Sequence, residues 1–267
     1  MNKFIPQSQP LEHHDAFLNL RAETIDDVIQ SLDKIIEWSK SHKSRLGYFA
    51  ALYRKVTIKV RDGIKDVVFD DGERMERLDV IFANRYLEAF EQYQNSTEPS
   101  LSWHLAFDAS KKWRPIVLQH LLLGMNAHID LDLGIAAAEM TDSESFPELK
   151  NDFYKINDIL VSLINEVQAE LAAVWPLLKL LDKIAGEADE GLAKFGMKYT
   201  RGRAWKAAEE LSGLSPEAQA VKKKILDQNV ADIGNKIVYP GWVIRLLLFL
   251  VRIGEMRSVT RIIQILE

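Results

Sequence analysis

Residues 115–140 read PIVLQHLLLGMNAHIDLDLGIAAAEM, and this stretch decides the fold. Its apolar residues recur with helical spacing, and Pro115 suits the first turn of a helix. The chain of 267 residues is 47% hydrophobic and 27% charged, which is typical of a globular protein with a packed core. We therefore expect a central, buried helix that starts at Pro115 and ends near Met140.

Helical spacing also dominates on both sides of this stretch. Thr24 followed by Asp27 predicts a capped helix start, and Ser215 followed by Pro216 predicts another. Only 13 Gly and 8 Pro are present, and strand-like alternation is rare. The sequence predicts an all-α protein, a single bundle-like domain of about nine to eleven helices over residues 23–267. Residues 1–22 are expected to form a mobile N-terminal segment.

Composition excludes several classes of function. The chain has no cysteine, which excludes disulfides, thiolate nucleophiles and iron–sulfur clusters. A net charge of -5 argues against a nucleic-acid partner. The first residues lack a basic stretch followed by an apolar run, so we expect no signal peptide and a cytoplasmic location.

The run WVIRLLLFLVRI, residues 242–253, is strongly apolar. It has about half of the roughly 20 residues that a membrane span needs, and Arg245 and Arg252 interrupt it. We therefore expect a buried helix and no membrane span. The same residues would form the interface if the protein is a homodimer that associates through its C-terminal helices.

Polar residues interrupt one face of the central helix. At about 100° per residue, with His120 at zero, Gly124 lies near 40°, His128 near 80° and Asp132 near 120°. The spacing of His128 and Asp132 places an imidazole and a carboxylate one turn apart. They can form a hydrogen-bonded pair or bind one divalent ion. Gly124 leaves room for a ligand or for a crossing helix.

Asp79 lies near the centre of the apolar face of another predicted helix. A buried carboxylate needs a partner, so we expect an arginine such as Arg203 or Arg245, or else a metal ion shared with His128. The candidate ligands of a zinc or iron ion are His120, His128, Asp132 and Asp79. The candidate catalytic residues are His128 and Asp132.

Other side chains are candidates for binding a substrate, and among them an arginine can clamp an anion through two parallel hydrogen bonds. The three candidates are Arg85, Tyr86 and Asn126. In YTRGRAW, residues 199–205, Arg201 and Arg203 can hold a phosphate or a carboxylate. The alternative, a basic helix turn with Trp205 in the core, is favoured there.

Three segments carry a resemblance to a known family: LDVIFANRYLEAF at 78–90, WHLAFDASKKWRPIVLQHLLLGMNAHIDLDL at 103–133 and RGRAW at 201–205. Through them the chain resembles the uncharacterised bacterial family catalogued as domain of unknown function 5995. FANRYL and LLLGMNAHIDLDL are its most specific parts. The resemblance implies an all-helical bacterial protein and places Asn126, His128 and Asp132 in the family motif, without implying a reaction.

Three functions are compatible with these residues. The first is a metal-dependent enzyme with a His/Asp site on the central helix, a hydrolase or, if the metal is iron, an oxygenase. The second is a noncatalytic protein that binds a lipophilic or acyl-like small molecule in an apolar pocket between helices. The third is the dimeric interaction protein.

Overall fold

The computed structural model describes residues 19–140, 146–175 and 188–267, with the side chains of 188–198 left aside. The predicted all-α, bundle-like fold is confirmed, because the described residues form ten helices and no strand. These helices are α1 Ile25–Ser41, α2 Gly47–Lys65, α3 Gly72–Gln94, α4 Leu101–Lys111, α5 Val117–Met140, α6 Phe146–Val174, α7 Ala188–Ser212, α8 Pro216–Val238, α9 Trp242–Gly254 and α10 Val259–Leu266.

Residues before α1 already pack against the bundle. Leu20 and Ala22 are each 2% exposed, and the backbone N–H of Ala22 donates to Asn84 of α3 at 2.8 Å. Most of the predicted mobile segment, residues 1–18, lies outside the described residues.

The predicted helix starts are confirmed. The Thr24 hydroxyl accepts a hydrogen bond from the backbone N–H of Asp27, and the Asp27 carboxylate accepts one from the backbone N–H of Thr24 at 2.9 Å. At α8, the Ser215 hydroxyl accepts from the N–H of Ala218, and Pro216 is the first helical residue. Each cap satisfies backbone donors that the first turn of a helix leaves free.

Helix α5 is the buried central helix that the sequence predicts. Its residues enter three apolar clusters: Leu121 packs with α1 to α4, Leu133 packs with α3 and α6, and Ile135 packs with Leu211 and Val230. By length and composition α5 is the one described helix that could cross a membrane, and 83% of its apolar stretch is buried in the protein. Helices α8 and α9 meet that test only as a pair, and they are bent by 64°.

Helix α9 departs from the prediction of a buried helix, which is wrong for this chain. Trp242 is 78% exposed and Leu250 is 58% exposed, and the neighbouring apolar residues are similarly open. The buried residue of this helix is Arg252. Its guanidinium donates to Glu255 at 2.8 Å and to the backbone oxygen of Trp113 at 2.7 Å.

The close crossing of α2 and α5 depends on Gly124. A Cβ atom at this position would lie 2.3 Å from ring carbons of Phe49. Such a distance is far below van der Waals contact, so the absence of a side chain is what lets the Phe49 ring lie on α5.

We expect the substitution Gly124→Ala to lower the free energy of unfolding by about 1–3 kcal/mol, because the Phe49 ring must move out of a packed core. Gly202 is the matched control, since a Cβ atom there meets nothing within 4 Å. Gly202→Ala should leave stability unchanged or raise it by up to about 1 kcal/mol. Denaturant unfolding of both variants tests this, and equal effects at the two glycines would contradict it.

Candidate functional site

The central helix widens in its middle. His128–Leu133 forms a π-helical turn between the α-helical segments Val117–Ala127 and Gly134–Met140. Such a turn accommodates extra backbone, so the side chains after it are rotated by roughly 100° relative to a regular α-helix. The angular prediction from the sequence therefore fails only for the residues after this turn, whereas Asp132, inside the turn, lies beside His128 as the sequence predicts, with Oδ2 of Asp132 3.5 Å from Nδ1 of His128.

The predicted shared face of His120 and His128, the first residue of the turn, is confirmed. Both imidazoles face α2, where His120 lies 5.7 Å from Tyr48 and His128 lies 4.4 Å from Tyr53, measured between ring centroids. They do not meet, because eight residues separate them by about 12 Å along the helix axis. The ring of Phe49 packs at Gly124, the residue midway between them in the sequence.

The carboxylate of Asp132 is buried and held from two sides. Trp103 Nε1 donates to Oδ2 at 2.7 Å, and Arg85 Nε donates to Oδ1 at 3.1 Å. Arg85 also lies 3.6 Å from Glu139, which is paired with Lys223 at 2.7 Å. A chain of alternating charges thus connects the buried carboxylate to the partly exposed outer side of α5 and compensates its burial.

His128 lies in a group of aromatic rings. Phe82 stacks on the imidazole with centroids 3.5 Å apart and planes 11° apart, and Tyr53 meets it edge-on at 4.4 Å. Phe49, Tyr86 and Trp103 lie within 6.2 Å of the same ring. The faces of the imidazole are therefore covered by rings, and its edge carries the polar atoms.

The His128 imidazole is neutral at neutral pH. Burial lowers its pKa, although the nearby Asp132 acts in the opposite direction. Nδ1 lies 3.5 Å from Oδ2 of Asp132, beyond normal hydrogen-bond length, and Nε2 has no hydrogen-bond partner among the described residues. A bound molecule could supply that partner.

A cavity of about 250 Å³ lies beside His128, bordered by α2, α3, α5 and α6 and by Arg201 of α7. Its lining is almost entirely aliphatic and aromatic. Representative lining residues are Leu52, Val56, Leu78, Ile156, Leu160 and Leu163. The lining of α6 extends from residue 156 to residue 168, about 18 Å at the rise of an α-helix.

Asp79 is one of the few polar residues of the cavity. Burial and the neighbouring Glu76 raise the pKa of Asp79 to about 7, and its Oδ2 has no hydrogen-bond partner among the described residues. The predicted arginine partner is wrong: no described cation lies within 4 Å of Asp79, and Arg203 lies 3.8 Å from Asp130 instead. A large share of Asp79 is therefore a neutral carboxylic acid at neutral pH.

Arg201 also lines the cavity, and it is only 3% exposed. Nη2 donates to the backbone oxygen of Phe153 at 2.5 Å, and the guanidinium lies 4.5 Å from the centroid of that ring. Nε has no hydrogen-bond partner, and no carboxylate of the described part of the chain lies within 4 Å. Burial lowers the pKa of Arg201 to about 9, so the side chain stays charged at neutral pH.

The sequence marks Arg201 as a candidate anion-binding residue but does not reveal that it is buried at a cavity. YTRGRAW suggested an anion site, yet the favoured alternative placed only Trp205 in the core, and Trp205 does pack there at 5.1 Å from Phe153. Tyr53 and Gln168 line the cavity as well and were not singled out. No local pattern marks them, because α2 and α6 bring them to the cavity from distant parts of the sequence.

The donor set does not fit a metal ion. No three His, Asp or Glu side chains of the described ranges lie together as ligands. Asp132 already accepts two hydrogen bonds, one of them from the cationic Arg85. Burial lowers the pKa of His120 to about 3. The positive charges of Arg45 and Arg252 act in the same direction, and they would also repel a metal cation at this residue. The zinc or iron site stays a prediction.

The three predicted substrate-binding residues lie outside the lining of the cavity. Arg85 holds Asp132, and Tyr86 is buried among the rings with its hydroxyl free of partners in the described residues. Asn126 points towards α8, where its Nδ2 donates to the backbone oxygen of Val230 at 2.9 Å. Contact of these residues with a substrate stays a prediction.

Comparison with known proteins gives one match. The model of a family of unknown function, DUF5995, matches residues 25–240. No curated protein and no solved structure matches the chain. The matched range includes every residue named above as lining the cavity and ends before α9.

The pKa of Asp79 predicts how stability changes with pH. Between about pH 4 and pH 7 the unfolded chain loses the Asp79 proton while the folded protein keeps it, so the free energy of unfolding falls as pH rises. Asp79→Asn should remove this fall and stabilise the protein by about 2–4 kcal/mol near pH 8.

Urea unfolding across this pH range measures the effect. The control is Asp66→Asn, which changes an exposed carboxylate that has no ion pair with a described residue. It should leave the pH profile of the wild type unchanged. If the free energy of unfolding changed with pH in the same way for the wild type and Asp79→Asn, the raised pKa of Asp79 would be contradicted.

Proposed function

The chain belongs to the family of unknown function DUF5995, and we propose that it is a noncatalytic binding protein for a lipophilic small molecule with an anionic head group. The observation that carries this proposal is Arg201, a buried cation that lines an apolar cavity and has no carboxylate partner among the described residues. The ligand class is an acyl-like molecule that carries a carboxylate.

Arg201 supports an anionic head group for energetic reasons. A guanidinium remains protonated at neutral pH, and burying a charge without a partner costs several kcal/mol in order of magnitude. One N–H donates to the Phe153 carbonyl, which leaves Nε free. A ligand carboxylate would accept from this N–H and neutralise the charge, as in other arginine–carboxylate pairs.

The rest of the lining supports an apolar tail. The cavity follows α6 for about 18 Å from residue 156 to residue 168, an elongated shape suited to an extended chain. Leu118 borders the cavity and is 40% exposed, so the end of the cavity at Leu118 reaches the protein surface. A ligand buried along this length would gain roughly 25 cal/mol for each Å² of apolar surface removed from water.

The polar groups between the two ends suit an oxygen on the ligand. A large share of Asp79 is protonated and His128 is neutral at neutral pH, so neither places a full negative charge beside an anionic ligand. Nε2 of His128 and the hydroxyl of Tyr53 have no partner among the described residues. They can hydrogen-bond a hydroxyl or carbonyl group of the tail.

Arg201→Met tests the proposal with a straight-chain fatty acid and the straight-chain alcohol of the same length. The wild type should bind the acid at least roughly tenfold more tightly than the alcohol, because a hydrogen bond to a charged group contributes about 1.5–3 kcal/mol. Arg201→Met should bind both weakly and without discrimination. Isothermal titration calorimetry measures the four affinities.

The matched control is Arg203→Met, two residues away on the same helix, where the side chain is 38% exposed and lies beside Asp130. It should keep the preference for the acid. Thermal unfolding excludes a folding defect, since removal of an unpaired buried charge should not lower stability. Equal binding of acid and alcohol by the wild type would contradict the proposal, as would an unchanged preference in Arg201→Met.

A further inference from the structure

Helix α9 has its polarity reversed relative to an ordinary surface helix. The residue it buries is a cation, Arg252, whereas its large apolar side chains are exposed. Eight of them are exposed by 44% to 78%, among them Trp242, Val243, Leu247 and Leu250. A continuous exposed apolar surface of this kind marks an interaction site.

Arg252 fixes α9 in this orientation. Besides its bonds to Glu255 and to the Trp113 carbonyl, its guanidinium lies 5.5 Å from the centroid of the Trp113 ring. The buried Glu255 also accepts from the backbone N–H of Val117 at 2.9 Å, at the start of the central helix. The apolar face is therefore held outward by a buried ion pair.

A groove of about 730 Å³ lies beside α9, bordered by the segment before α5 and by the corner between α8 and α9. Its cations are Lys112, Arg114 and Arg245, and no described lining residue is acidic. Neither Arg114 nor Arg245 has an ion pair with a described residue, and both are exposed. The aromatic residues at the groove are Trp113, Tyr239 and Trp242.

We propose that α9 and this groove dock the protein on the surface of a lipid bilayer that contains anionic lipids. The 13 residues of α9 span about 20 Å, too short to cross a hydrocarbon core of about 30 Å but suited to lie in the interface. Exposed tryptophan and tyrosine favour that depth, and the cations complement lipid phosphates.

Charge favours a bilayer over a second copy of this chain as the occupant. A twofold dimer would use the same patch on both subunits. It would bring the cations of the groove towards those of its partner with no acidic residue of the groove to compensate them. An anionic bilayer covers the apolar helix and neutralises the same cations.

Sedimentation with vesicles tests the docking surface. The wild type should bind vesicles of phosphatidylcholine mixed with phosphatidylglycerol and lose this binding as salt rises, with little binding to phosphatidylcholine alone. Arg114→Gln/Arg245→Gln should weaken binding roughly thirtyfold, the effect of two surface cations. Leu247→Ser/Leu250→Ser should also lose binding, because the apolar face no longer inserts.

The control is Lys59→Gln/Lys65→Gln, which removes two exposed cations of α2 that do not line the groove and should bind like the wild type. Thermal unfolding verifies that each variant is folded. Absence of wild-type binding to anionic vesicles would overturn the proposal, as would equal binding to both vesicle types. A concentration-dependent dimer that Leu247→Ser/Leu250→Ser dissociates, without vesicle binding, would assign the face to a second copy instead.

Discussion

Burying a charge without a partner is costly, and the arrangement around the central helix follows from how that cost is met. The burial of Asp132 is compensated by hydrogen bonds from Trp103 and Arg85, which connect α4 and α3 to the π-helical turn of α5. The burial of Arg252 is compensated by Glu255 and a carbonyl group. These two buried charges fix the middle of the bundle and the orientation of α9.

Asp79 and Arg201, at the cavity, are buried without a partner of opposite charge among the described residues. They differ in the charge that they carry at neutral pH. Asp79 takes up a proton, so its burial requires no counter-ion. Arg201 keeps its charge, with only a carbonyl and an aromatic ring as partial compensation. At the cavity, the charge that the described residues leave uncompensated is therefore positive, which is why an anionic lipophile is the proposed ligand.

Local rules predicted much of this fold from the sequence. Thr24 and Ser215 marked helix starts through their caps, and the apolar spacing of residues 115–140 predicted the buried central helix. The π-helical turn has no signature in residue spacing, so the side-chain directions after Leu133 are not predictable from the sequence, whereas Asp132, one turn after His128, does lie beside it. The outward face of α9 was also missed, because an apolar pattern does not distinguish burial in the protein from burial against a partner.

A crystal structure of the protein with a straight-chain fatty acid tests the central claim most directly. We expect the carboxylate to lie about 2.7–2.9 Å from a guanidinium nitrogen of Arg201, the length of a charged hydrogen bond. The chain should extend along α6 past His128 towards Leu118. A fatty acid bound elsewhere, or an unfilled cavity with Arg201 paired to a carboxylate of the protein itself, would contradict the account.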